Sequence, residues 1–185
     1  DDYNVKATFF VVGQDIDTYG PQYKRIVDEG HTIGMHSYSH KYSEIYSSSD
    51  AFVNDYQRIH QLIFDTTGVD SKFYRFPGGS SNSLCNTSMS VFVDYLNSQN
   101  VKYYDWNVDV GDATPAAFSS DEIVDNVMKN VVKYKTSVIL MHDASNKDAT
   151  VEALPNLIEA LQQSGAMILP ITDETTVIHH TCVVQ

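Results

Sequence analysis

The feature that most narrows the fold is an alternation running the length of the chain: a short β-branched or aromatic run, then a helix-period stretch, then the pair again. Val5–Val12 (VKATFFVV) reads as a buried strand closed by Gly13. Pro21–Glu29 reads as a helix, with Pro21 at an early position and Gly30 as its stop. His31–Met35 is the next strand. The polar run Ser47–Asp50 caps a helix reaching about Thr67, with Phe52, Ile59, Leu62 and Ile63 on its apolar stripe and Gly68 behind it. Further strands are predicted at Lys72–Phe76, Val101–Trp106, Ser137–Met141 and Ala166–Leu169, and helices at Thr87–Ser98, Asp121–Tyr134 and Val151–Gln163. Arg75–Asn82 and Asn107–Ser119, the latter with Gly111 and Pro115, read as loops, and residues from Thr175 onward as a tail. Such alternation predicts a parallel sheet with crossover helices, open or closed into a barrel.

The 185 residues suffice for one domain with a sizeable core. A net charge of −12, from 12 basic and 24 acidic residues, argues against nucleic acid or an anionic membrane as the main partner. No transmembrane segment and no signal peptide is read, and the start at Asp1-Asp2-Tyr3, close to a strand, suits a mature or trimmed fragment. Cys85 and Cys182 form neither a CxxC nor a zinc-finger spacing, so a disulfide and two free thiols both stay open.

In parallel α/β folds, functional residues gather in loops at the C-terminal ends of strands. Four such ends carry polar signals: His36/His40, Arg75 to Gly79, Asp109/Asp112 and His142-Asp143. His36 and His40, spaced i, i+4, can reach one divalent ion if the segment turns helical after Met35. Two surface histidines four apart by chance is the rival reading. His142, ending an apolar strand, suits general acid or base work near neutral pH. Asp112 can orient His142 or pair with Arg75, or it is simply a turn-forming residue beside Gly111. Gly78-Gly79 permits close backbone approach, and a free amide there can stabilise an oxyanion. Trp106, Tyr38, Tyr42 and Tyr46 can stack on sugar faces or serve packing.

Taken together, His36-Ser-Tyr-Ser-His40, Arg75-Phe-Pro-Gly-Gly79, Asp105-Trp-Asn-Val-Asp-Val-Gly-Asp112 and Leu140-Met-His142 resemble motifs two to five of the polysaccharide deacetylases, carbohydrate esterase family 4 with its NodB-homology domain. Tyr3–Gly13 and Leu169–Glu174 resemble that family's second and last strands, so the resemblance covers nearly the whole chain. It implies a distorted (β/α) barrel and metal-dependent removal of N-acetyl groups from a glycan of N-acetylglucosamine, outside the cell or at its surface. By matching positions, His36 and His40 would be metal ligands, for Zn2+ first and Co2+, Ni2+ or Mn2+ as alternatives. His142 would be the catalytic acid, supported by Asp112, and Arg75 would hold the aspartates of the site. Gly78 would bind the oxyanion through its amide, and Leu140 would line the acetate-methyl pocket. The motif flavours look most like bacterial peptidoglycan N-acetylglucosamine deacetylases.

The family's first motif, Thr-Phe-Asp-Asp, has no counterpart. Asp1-Asp2 precede the strand at Val5–Val12, which at roughly 3.3 Å per residue sets them about 25 Å from its far end. The resemblance therefore implies a deacetylase domain over residues 1–178 that lacks its first strand, belongs to a larger upstream chain, and is followed by a tail at 179–185. A carbohydrate-binding relative that kept the groove and lost the chemistry is the alternative. A serine hydrolase is disfavoured by the absence of a GxSxG elbow.

Overall fold

The computed structural model describes residues 1–13, 15–85, 87–113 and 118–181, and strands and helices alternate through it as the sequence predicts. Pro115 and Cys182 lie outside the described residues. The chain divides into two compact units, Lys6–Asp105 with Pro170–Gln185, and Asp1–Val5 with Trp106–Leu169.

The larger unit holds a four-stranded parallel sheet of β1 (Thr8–Val12), β2 (Thr32–Ser37), β3 (Phe73–Tyr74) and β4 (Lys102–Tyr103), lying side by side in chain order. Its crossovers carry α1 (Ile16–Asp28), the single turn α2 (Tyr42–Ile45), α3 (Ser49–Thr67) and α4 (Met89–Ser98). Because all four strands run the same way, the residues that follow β2, β3 and β4 leave by the same edge. The core is aromatic. Phe52 on α3 lies 4.7 Å from Phe92 and 5.8 Å from Phe76 between ring centroids, and Tyr46 and Tyr74 are fully buried beside them. Each such ring contributes roughly 4–6 kcal/mol of transfer free energy on burial.

In the smaller unit, β5 (Val108–Asp109) pairs in parallel with β6 (Ile139–Leu140). The helices α5 (Ser120–Val131) and α6 (Asp148–Gln163) bury Ile123, Val127, Ala153 and Leu157 with Val108 and Val110. A capping box starts α5. The Ser119 hydroxyl accepts from the Glu122 N–H, and the Glu122 carboxylate accepts from the Ser119 N–H at 2.8 Å.

Several expectations need correction. No helix follows Met35: β2 continues through Ser37, and His40 adopts a positive φ of 53° before α2 begins at Tyr42. Helix α1 begins at Ile16, a turn and more before Pro21, because Asp15 caps it by accepting from the Asp17 N–H. Ala166–Leu169 forms no strand. The Ala166 N–H turns back to Leu161 at the end of α6, and Met167 and Leu169 are largely exposed. A strand, β5, forms inside the stretch read as a loop, since Val108 finds Ile139 as a ladder partner. The described residues of the presumed tail are not loose. Ile178 accepts from the Asp105 N–H at 2.8 Å, and the His179 ring stacks on Tyr103 at 3.7 Å between centroids.

Candidate functional site

In the larger unit, the end of β2 is built around a buried carboxylate. Asp55 of α3, only 6% exposed, accepts from the Ser37 hydroxyl at 2.7 Å, the Tyr38 N–H at 2.8 Å and the Ser39 N–H at 2.9 Å. The Ser37 oxygen in turn accepts from the His40 N–H at 2.8 Å. These four bonds and the left-handed backbone at His40 fold the segment back on itself. His36 from the strand and His40 from the turn thus meet without a helix, with their Nε2 atoms 3.2 Å apart. Gly13 lets β1 approach this turn: a Cβ there would lie 2.5 Å from the Tyr38 carbonyl oxygen. The Arg58 guanidinium covers the Tyr38 ring at 3.7 Å.

The donor set fits a divalent ion. Two nitrogens each about 2.0–2.1 Å from a tetrahedral ion lie about 3.4 Å apart, close to the observed spacing. His36 Nδ1 lies 2.6 Å from the Arg75 carbonyl oxygen, which can only accept, so Nδ1 carries the proton and Nε2 keeps its lone pair. Among the described residues, no group of three or more potential metal-ligating side chains includes this pair.

Arg75 follows β3 and is 8% exposed. Its Nε donates to the Tyr104 carbonyl at 3.0 Å, and its guanidinium lies 4.4 Å from the Phe10 ring centroid. Burial lowers its pKa to about 10 against the opposing pull of Asp105, so it stays charged at neutral pH. Gly78 is exposed at a φ of 77°, and a Cβ there would meet the Tyr42 ring at 2.9 Å. Its own N–H makes no hydrogen bond among the described residues. The loop it belongs to is pinned by Asp105, which is fully buried and accepts from the Ser80 N–H at 2.8 Å, the Ser80 hydroxyl at 2.5 Å and the His180 N–H at 2.7 Å.

In the smaller unit, Asp112 follows β5 and His142 follows β6, so parallel pairing of the two strands brings them together. Asp112 Oδ1 lies 2.7 Å from His142 Nδ1, while Oδ2 accepts from the His142 N–H at 2.8 Å and the Thr150 hydroxyl at 3.0 Å. The carboxylate is 3% exposed and the imidazole 40%, so one edge of the ring is anchored and the other open. Lys147 donates to the Asp112 carbonyl at 2.5 Å. Of the partners considered for Asp112, the structure brings His142 against it. Leu140 is buried on β6 directly before this pair, and Trp106 is partly exposed.

Sequence reasoning passed over three supports. Asp55 carried a signal, an acid four residues before Ile59 on the apolar stripe of its helix. Asp105 sat unremarked inside a motif quoted for other residues. Thr150 had no sequence signal, since only the fold brings it to Asp112.

Residues 1–102 match the family described as Polysaccharide deacetylase. A peptidoglycan-N-acetylglucosamine deacetylase of Bacillus cereus is 30% identical over 167 residues, which is 88% of this chain and 58% of that protein. This chain thus spans little more than half the length of such a relative. The catalytic domain of a peptidoglycan N-acetylglucosamine deacetylase from Eubacterium rectale superposes over 100% of this chain and 84% of its own, with a TM-score of 0.93 and 38% identity. A pseudoenzyme of carbohydrate esterase family 4 from Bacillus anthracis superposes over 92% of this chain and 55% of its own, with a TM-score of 0.74 and 26% identity.

Proposed function

The chain belongs to the polysaccharide deacetylase family, with the α/β fold of parallel sheets that goes with the NodB type of distorted barrel, and from that premise we propose that it hydrolyses N-acetyl groups of N-acetylglucosamine residues. The substrate in this reading is a peptidoglycan or chitin-like polymer outside the cell or at its surface. The observation that carries it is the pair of imidazoles converging at the end of β2 with the tautomer of His36 fixed for ligation.

In this reading His36 and His40 hold a divalent ion, zinc first, which when bound supplies Lewis acidity toward the acetyl carbonyl and toward water. Every other part belongs to the chain's own groups. Asp112 accepts from the Nδ1–H of His142, so that the ring in its doubly protonated form presents its Nε2–H on the open edge and gives that proton to the departing amine. Water adds to the acetyl carbon, the C–N bond breaks, and acetate and a free amino sugar leave. The Gly78 N–H donates to the oxygen that becomes negative in between. By its place in the motif Leu140-Met-His142, Leu140 is proposed for the acetyl methyl group, and Tyr38 and Trp106 are proposed for the sugar, while Arg75 steadies the backbone of Tyr104 and Asp105. The general base and a further ligand are left unassigned, because the family's Thr-Phe-Asp-Asp stretch has no match in the 185 residues.

The test is acetate release from N-acetylglucosamine oligomers by this chain with zinc or cobalt added. The expected result is chelator-sensitive release that His142→Ala lowers by about 10²–10⁴-fold. Metal-loaded protein that binds the oligomer and releases no acetate overturns the catalytic reading. It favours a second one, a glycan-binding relative, which the likeness to a pseudoenzyme supports.

A further inference from the structure

The flank of the larger unit, between α3 and α4, carries a groove of about 590 Å³ that the reaction above does not use. One wall is the polar stripe of α3, where Asn54, Gln57 and Gln61 follow at helical spacing, and Gln99, the C-cap of α4, joins them in the lining. Four amides in one groove offer donors and acceptors together, which suits the vicinal hydroxyls and acetamido groups of sugars. Tyr95 supplies the aromatic surface, its ring edge to face with the buried Tyr56 at 5.4 Å between centroids. The Tyr56 hydroxyl makes no hydrogen bond among the described residues and is not closed off from solvent, so it can meet a ligand oxygen in the groove.

The charge of the groove is one-sided. Arg58, His60 and Lys72 line it, and among the described residues no carboxylate does, in a chain of net charge −12. Asp70 holds His60 at 2.8 Å and Lys72 at 2.7 Å from outside the lining, which leaves Arg58 as the least compensated cation. From Asn54 to Gln61 the helix rises about 10 Å, room for about two sugar rings. Arg58 also touches Tyr38, so the upper end of the groove borders the turn that carries His40.

We propose that this groove is a second glycan subsite, selective for a strand that still carries its N-acetyl groups. The proposal rests on the glycan reading above and adds a direction to it. A neutral acetylated sugar meets amides, a free tyrosine hydroxyl and an aromatic face. A deacetylated sugar brings an ammonium group against Arg58 and is repelled. Removal of acetyl groups therefore loosens the strand from the protein.

The full chain carrying His142→Ala, used so that the ligand is not consumed, is titrated with N-acetylglucosamine hexamer and separately with glucosamine hexamer. Backbone amide shifts report where each binds. The expected result is saturable shifts at Tyr56, Tyr95 and Gln99 with the acetylated hexamer, and binding there at least about tenfold weaker with the glucosamine hexamer. Adding Gln57→Ala and Gln99→Ala, both at exposed positions, removes two hydrogen bonds and weakens the groove by about tenfold. Shifts confined to the His36–His40 turn and the His142 loop, equal binding of both hexamers, or indifference to the two glutamines overturns the subsite and leaves the deacetylase reading intact. Absence of binding anywhere overturns both.

Discussion

At the scale of single residues, most of the candidate chemistry was legible because it lies in motifs whose residue types are unusual for packing. His36, His40 and His142 each end or follow an apolar run, where nothing in core formation asks for an imidazole. Their partners were less visible. Asp112→Asn tests the partnership directly. An amide can present its NH2 to Nδ1 and so reverse the tautomer, and we expect acetate release to fall by about 10²–10⁴-fold with little loss of stability. Release unchanged in that variant would remove Asp112 from the mechanism. A different histidine carries a prediction about pH. His31 Nδ1 accepts from the Ala7 N–H at 3.0 Å, and burial, helped by Lys6 and Arg25, lowers its pKa below the usual value. A histidine with a depressed folded pKa contributes fully above its unfolded value, about 6.5, and the contribution is lost as pH falls through the folded value. Unfolding titrations should therefore show stability rising as pH climbs toward about 6.5, with the rise reduced in His31→Gln; an NMR midpoint for His31 at or above 6.5 would contradict this.

Elements were legible where periodicity was long, and illegible where pairing decided the outcome. The helices α3, α4, α5 and α6 were all expected within a few residues of where they lie, because each presents an apolar stripe, joined in α3, α4 and α5 by a serine N-cap. The two-residue strand β5 was not, since Val108 and Asp109 are strand only by virtue of Ile139 and Leu140 opposite. The turn after β2, for which the sequence offered a helix only as a condition for His36 and His40 to meet, was hidden for a related reason. Its shape is dictated by Asp55, which comes 15 residues after His40 and on another element. Two predictions belong here. Ser119→Ala removes one half of the capping box and should cost about 0.5–2 kcal/mol in denaturant unfolding, with activity retained. Asp55→Ala strands three buried donors and should cost about 1–3 kcal/mol. Calorimetry should show weakened zinc binding in the same variant, because the turn that brings His40 to His36 has lost its anchor. A variant that unfolds like the parent and binds zinc equally well would show that the turn holds itself.

For the molecule as a whole, the aromatic centre of the larger unit gathers many of the largest fully buried side chains, Tyr46, Tyr74, Phe52, Phe76 and Phe92 among them. Phe52 contacts Tyr74, Phe76, Phe92 and Tyr95, and Phe52→Ala should cost about 3–5 kcal/mol and lower the thermal midpoint by several degrees. A loss below about 1 kcal/mol would mean the rings repack around the hole. The Asp105 clamp has a consequence of another kind, one of timing. Ser80 shares it with His180, which lies 100 positions further along the chain. At about 5–20 residues per second, synthesis of that interval takes roughly 5–20 s. Whether the chain emerges from a ribosome or through an export channel, the Gly78 loop and Asp105 come out early and the last partner of the clamp comes out late. A nascent chain can bury Phe52, pair its first strands and fasten Ser80 to Asp105 while the carboxylate still waits for its third donor, so the clamp closes after the bulk of the fold, when residues 178–180 dock.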